Sequence, residues 1–337
     1  MKRMFWIAGL AAATTVIAGC GSSAGDATGA ADASSDAATG PKLAVVATTP
    51  EVADFVRNIG GAEVDVTQII KPNVDPHDYE PTPADLQAIA SAKLVVKSGV
   101  GLEEWLDRTI ESAGFDGTVV DSSTGVTLRE GGHEHAEEGE AHADEAHAEE
   151  EAHAGEEEHD PHIWHDPRNA KIMVANIEKG LAAAEPAKAS AFAANLTTYT
   201  AQLDKLDSDN AAAWSKIPAA DRKLVTNHDA FGYYIQRYDL EFVGSVIPSL
   251  DTSAELSAKQ LNDLVAKIKS TGTKAIFAES SLPPKTAEAI AKQAGVKVVA
   301  GEDALFGDSL GAPGSPEGTY LGAERHNTQI LVEALAS

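Results

Sequence analysis

The chain has 337 residues, 43% of them hydrophobic and 5% aromatic, which is too long for one small core and suits two. With 26 Lys and Arg against 52 Asp and Glu, the formal net charge is −26 at pH 7, which excludes nucleic acid and an anionic bilayer surface as main partners. A single cysteine excludes a disulfide framework and a thiolate metal site.

Lys2 and Arg3 precede an apolar stretch at residues 4–17, too short to span a bilayer comfortably and shaped like a signal peptide. It ends in Ile17-Ala18-Gly19-Cys20, which resembles the bacterial lipobox. That resemblance implies removal of residues 1–19, a lipid on Cys20, and an extracytoplasmic protein anchored to the cell membrane. An ordinary secretory peptide with an incidental cysteine is the plainer alternative. Residues 20–40 are rich in Ala, Ser, Gly and Asp, the composition of a flexible tether.

From residue 41 short β-branched runs alternate with helical stretches. The runs fall at residues 43–49, 64–70, 93–99 and 118–122, and after a long interval at 223–227, 242–247, 274–278 and 296–301. Their near-continuous hydrophobicity predicts strands buried on both faces of parallel sheets. The expected fold is therefore α/β, two (β/α) lobes each around a mainly parallel four-stranded sheet. Between them Phe192, Leu196, Tyr199, Leu203 and Leu206 step by four and three, predicting one long linking helix over 186–216 with Pro186 in its first turn. The lobes would span 41–185 and 217–337.

Residues 130–160 hold fourteen Asp or Glu, six His and no Lys or Arg, so about half of the charge excess sits there. Such a stretch buries too little apolar surface to offset its ordering entropy, and it is expected to be a disordered loop. His133, His135, His142, His147, His153 and His159 are spaced closely enough for weak chelation in a flexible chain, so the segment is a candidate metal collector or merely a solvated insertion. It is not a zinc-protease motif, because no histidine stands three residues after Glu134.

Four short motifs carry candidate chemistry. KPNVDPHDYEPTP (71–83) places His77 in a proline-stiffened loop after a strand; DPHIWHDP (160–167) holds His162 and His165 ahead of a helix. TNHDAFGY (226–233) puts His228 at a strand end, and LFGDSL (305–310) puts Asp308 after the last strand. Ligands of open α/β sheets bind beyond the carboxyl ends of the strands, where these loops lie. Three imidazoles and a carboxylate suit four-coordinate zinc if they converge, and spacing alone leaves convergence open. His165, three residues from His162, competes for the same role. Glu279 reads either as a helix cap or as a ligand or its partner, and Asp229 or Glu80 could orient an imidazole.

PHDYEPTP, DPHIWHDP, NHDAFGY and GDSL, in that order, resemble the zinc- and manganese-binding solute-binding proteins of ABC transporters, the TroA-like family. The resemblance runs from about residue 41 to 337. It implies two lobes joined by one rigid helix, metal buried between them, and an ABC permease as partner. It assigns the ligand positions to His77, His162, His228 and Asp308. Members with histidine at the third position generally bind zinc and those with glutamate manganese, so His228 points to Zn2+, with Mn2+ the alternative. A closed four-ligand site leaves little room for a metal-bound water, and no nucleophile elbow or phosphate loop is present, so an enzyme is not expected. The expectation is a monomer delivering zinc to an importer, with a surface adhesin or metal sensor of the same fold as the competing reading.

Overall fold

A computed structural model of the chain describes residues 40–131, 159–254 and 256–336. The expected signal peptide, Cys20, the tether up to residue 39, and His133, His135, His142, His147 and His153 lie outside the described residues.

The first lobe holds β1 Leu43–Ala47, α1 Pro50–Gly60, β2 Val64–Gln68, α2 Pro83–Ser91, β3 Leu94–Lys97, α3 Leu106–Ala113, β4 Thr118–Asp121 and α4 Pro167–Ala184. Its sheet is parallel with the order β2-β1-β3-β4. After α5, Ala189–Trp214, the second lobe holds β5 Lys223–Thr226, α6 Gly232–Tyr238, β6 Glu241–Ser245, α7 Ala258–Thr271, β7 Ala275–Phe277, α8 Lys285–Ala294 and β8 Lys297–Val299, and the chain ends in α9 Tyr320–Ala336. The second sheet repeats the order, β6-β5-β7-β8, again parallel.

Burial on both faces holds only for inner strands. β3 and β7 are buried almost throughout, whereas edge strand β2 alternates and Val119 of edge strand β4 is 40% exposed. An edge strand meets helices on fewer sides, so its outer residues face water.

Local chemistry explains the helix starts. Thr49 caps α1 by accepting the Val52 N–H, and Pro50 sits in the first turn, where its missing N–H is harmless. Val52, Phe55, Val56 and Ile59 then bury one face of α1 against the first core. Thr82 and Asp85 form a reciprocal capping box at α2, as Ser257 and Gln260 do at α7.

α5 is 26 residues long, about 39 Å at 1.5 Å per residue. Phe192, Tyr199, Leu203 and Leu206 enter the first core and Trp214 the second, so this one helix is anchored in both lobes. Pro186 lies in a separate 3₁₀ turn, Pro186–Lys188, ahead of α5 rather than within it. α9 reinforces the linkage: Tyr320 packs in the first core while Leu331 and Leu335 pack in the second. Tyr320 is fixed by its N–H to Asp54 Oδ2 at 3.0 Å and by its hydroxyl, which donates to the Trp164 carbonyl at 2.6 Å.

Candidate metal centre

His77, His162, His228 and Asp308 converge, each offering one ligand-type atom, with all four atoms within 4.8 Å of one another. They come from four separate places: the loop between β2 and α2, the 3₁₀ turn region before α4, the end of β5, and the loop after β8. His77 is the outermost, with 7% of its side chain exposed, while the other three side chains are fully buried. A cleft of about 500 Å³, lined by His77, Leu102, Leu128, His159 and Asp251 among others, reaches the cluster from outside.

Three of the four residues are each held by a device of their own. His162 donates its backbone N–H to Asp160 Oδ1 at 3.0 Å, and its Nδ1 lies 2.8 Å from the same oxygen. His228 has the same arrangement with Glu279, its N–H at 2.9 Å and its Nδ1 at 3.0 Å from Oε1. In both, a carboxylate takes the Nδ1–H, so the Nε2 lone pair is left facing the cluster. The His77 N–H donates to Asp75 Oδ1 at 3.0 Å, and Asp75 Oδ2 accepts from Thr252 of the second lobe at 2.6 Å. The loop is tied across the cleft again by the Asn73 N–H to Ser309 Oγ at 2.6 Å.

The centre therefore collects acceptors. His77 Nε2 and His162 Nε2 stand 3.2 Å apart, and His228 Nε2 and His162 Nε2 3.3 Å apart. Asp308 brings Oδ2 to 3.1 Å from His228 Nε2 and 3.5 Å from His77 Nε2, and Oδ1 to 3.3 Å from His162 Nε2. Beyond these imidazoles, neither buried oxygen of Asp308 has a hydrogen-bond partner among the described residues. Three imidazole nitrogens and a carboxylate packed this closely in a buried site need either shared protons or a cation between them.

Titration reflects the same crowding. Burial would raise Asp308, but the imidazoles of His228 and His162 override it and hold the carboxyl well below its ordinary range. Burial would lower His228, yet Glu279 and Asp308 carry it well above the ordinary imidazole value. His162 is lowered because burial outweighs Asp308 and Asp160, and His77 is raised because Asp308 outweighs burial.

The remaining sequence candidates separate cleanly. His165 turns away from the cluster: its Nδ1 is 2.8 Å from Glu324 Oε1 of α9, and its ring stacks on Phe231 at 4.5 Å. Glu279 is neither helix cap nor one of the converging four but the orienting partner of His228. A Cβ on Gly307 would come within 2.2 Å of Glu279 Oε2, so the GDSL loop needs glycine there. Glu80 is exposed, and its side chain is not among the partners that hold the four converging residues in the described chain. Asp229 is pushed up to about 6 by burial and by Asp160, and its N–H donates to the Ser249 carbonyl; among the described residues the carboxylate that meets the His228 ring is Glu279 rather than Asp229. His159, expected in the disordered loop, pairs with Glu130 in an antiparallel bridge, and Asp160 is wholly buried, so both ends of that stretch are ordered.

Sequence reasoning missed Asp160, Asp75 and Trp164. The tripeptide Asp-Pro-His occurs at residues 75–77 and again at 160–162, and in both the aspartate accepts the histidine N–H two residues on. That repetition was the available signal. Trp164 steadies the opposite wall by donating Nε1–H to the Gly307 carbonyl at 3.1 Å.

Two α/β lobes pinned together by α5 and closing on a buried cluster of three imidazoles and a carboxylate define a two-lobed binding protein. A family model described as "Zinc-uptake complex component A periplasmic" matches residues 45–334. The manganese ABC transporter substrate-binding lipoprotein PsaA of Streptococcus mitis is 29% identical over 89% of this chain and 92% of its own length. The manganese-binding lipoprotein MntA of Bacillus subtilis is 32% identical over 96% of both chains. The zinc-binding protein TroA of Treponema pallidum is 33% identical over 90% of this chain and 92% of its own. Its solved structure superposes with a TM-score of 0.75, at 31% identity, over 88% of this chain and 100% of that one. The chain belongs to this family, the metal-binding solute-binding proteins of ABC transporters, and is not an enzyme. No helix among the described residues is long and apolar enough to cross a membrane.

Proposed function

We propose that the chain captures zinc at His77, His162, His228 and Asp308 and hands it, as a lipid-anchored monomer tethered through Cys20, to the permease of an ABC importer. The observation that carries this is the convergence of three Nε2 atoms on one fully buried carboxylate whose oxygens have no hydrogen-bond partner among the described residues other than those imidazoles. Zinc–nitrogen bonds of about 2.0–2.1 Å in a tetrahedron require ligand atoms about 3.3–3.4 Å apart. Two of the nitrogen separations, 3.2 and 3.3 Å, and the 3.1–3.5 Å separations from the two Asp308 oxygens are of that size, with all four ligand-type atoms within 4.8 Å of one another. Imidazole-rich donor sets suit zinc better than manganese, and His228 stands at the position the family resemblance links to zinc. The printed name of TroA is that of a zinc binder. Those of PsaA and MntA favour manganese as the second reading. On this reading the histidines of residues 133–159 collect zinc weakly near the cleft.

Equilibrium affinity alone cannot separate the two metals, because nearly any nitrogen and oxygen site binds zinc more tightly than manganese. Uptake can. In cells lacking the gene, radiolabelled zinc uptake at low external concentration should fall and return with the wild-type copy, with manganese uptake unchanged. The opposite pattern establishes the manganese reading, and normal uptake of both metals favours an adhesin or sensor.

A further inference from the structure

Arg129 and Asp160 lie at the two ends of the acidic stretch and meet at the metal centre. Arg129 Nη1 is 2.6 Å from Asp160 Oδ2, and the Asp160 N–H donates to the Arg129 carbonyl at 3.0 Å. The other oxygen of Asp160 is the one that holds the N–H and Nδ1 of His162. A residue of the second lobe closes the arrangement. The Tyr233 hydroxyl accepts the Arg129 N–H at 3.0 Å and donates to the Asp160 carbonyl at 3.0 Å, and the guanidinium lies 5.5 Å from the centre of its ring. Beside it, Gly232 opens α6 with no side chain to spare: a Cβ there would stand 1.5 Å from Arg129 Nη1 and 2.5 Å from Asp160 Oδ2. Tyr233 itself packs in the first lobe's core although its helix belongs to the second lobe.

We propose that Arg129 and Tyr233 are positioning residues for the bound metal, forming a clasp through which the apposition of the two lobes sets the orientation of His162. The proposal rests on the zinc-capture reading. Arg129 balances the buried carboxylate that aims the His162 ring, and it holds one oxygen of Asp160 so that the other stays on Nδ1. Tyr233 joins both ends of this chain of contacts to α6, whose preceding loop carries His228. Separation of α6 from the first lobe by more than about 1 Å takes both Tyr233 hydrogen bonds beyond bonding distance. It also removes the shelf under the guanidinium. One movement then withdraws His228 and frees His162 together, so release is a concerted loss of two ligands.

The test is zinc transfer from the full-length protein to excess chelator, followed in time, together with equilibrium competition. Arg129→Gln and Tyr233→Phe should each release zinc about tenfold faster than wild type, the lower end of the effect of losing an outer partner of a ligating histidine. Arg129→Lys should restore slow release, since the contact at Asp160 Oδ2 is made by one nitrogen. The proton resonance of His162 Nδ1–H should shift in Arg129→Gln and recover in Arg129→Lys, which a merely structural role of Arg129 would not produce. Tyr233→Phe keeps the ring in the core and removes only the hydroxyl, so the test survives if the glutamine variant does not fold. Wild-type release from both Arg129→Gln and Tyr233→Phe overturns the clasp. Asp308→Ala runs alongside: if it too releases zinc at the wild-type rate, the cleft reading has failed and the clasp with it, whereas rapid release from Asp308→Ala alone overturns only the clasp.

Discussion

Replacing Glu279 with glutamine should weaken zinc binding about tenfold at neutral to mildly alkaline pH, roughly 1.4 kcal/mol. The magnitude comes from what the carboxylate does. It accepts both the N–H and the Nδ1–H of His228 in a wholly buried site, so its charge raises the basicity of the imidazole whose Nε2 faces Asp308 at 3.1 Å. Glutamine keeps the shape and one acceptor oxygen but removes the charge. The same charge also favours a proton on His228, which Glu279 and Asp308 carry well above its ordinary value against the effect of burial. Zinc must displace that proton, so the variant loses attraction for the metal and also loses some of its competitor. The deficit should therefore be largest near pH 8 and shrink toward about pH 6, where protons compete more strongly in the wild type. Competition against a chelator of known affinity, repeated across that range, reads both effects. A glutamine variant within about twofold of wild type at every pH would refute the idea that this outer carboxylate tunes the site.

Other expectations follow from the same contacts. Zinc affinity of the wild type should already be falling as pH drops toward the ordinary imidazole value of about 6.5, because His228 and His77 hold protons above it, and an affinity flat between mildly acid and mildly alkaline pH in the same competition assay contradicts histidine ligation. Phe55 is fully buried against the edges of Tyr199 and Tyr320, so Phe55→Ala should cost about 3–5 kcal/mol in urea unfolding while one zinc still binds to the folded fraction. The carboxyl of Glu51 is pushed up to about 8 by burial, with one oxygen lacking a hydrogen-bond partner among the described residues. Its folded value lies above the unfolded 4.5, so the folded state holds the proton longer and Glu51 weakens the fold progressively as pH rises between those values. Glu51→Gln should accordingly gain on the wild type across that window, by on the order of a few kcal/mol at its upper end, in unfolding curves recorded with chelator present. An advantage that does not change with pH would show that Glu51 does not titrate there.

The sequence made the repeating units legible because buried parallel strands leave a loud trace: Leu94 to Lys97 and Ala275 to Phe277 have almost nothing polar to obscure them. The long linking helix was equally visible, since its stripe from Phe192 to Leu206 keeps one period throughout. α9 was not, because its buried residues include Glu324, Asn327 and Thr328, polar types normally taken for surface. The four converging residues could be found from motif wording and the family resemblance it carries, with His165 the one rival inside a motif. Their partners could not. Arg129 and Asp160 are 31 residues apart along the chain, across the stretch richest in charge, and Glu279 stands 51 residues from His228. Sequence spacing does not encode which carboxylate folds back onto which imidazole, and only the repeated Asp-Pro-His gave a local hint. His165 shows the converse. It looked like a rival ligand at a turn's distance from His162, but the turn directs it to Glu324 on a helix whose approach the sequence does not reveal.

The most direct measurement is anomalous X-ray scattering at the zinc absorption edge from crystals of the protein prepared with one equivalent of zinc. The account predicts a single strong peak between the Nε2 atoms of His77, His162 and His228 and the carboxylate of Asp308. A peak elsewhere, with those four side chains left without metal, would contradict it.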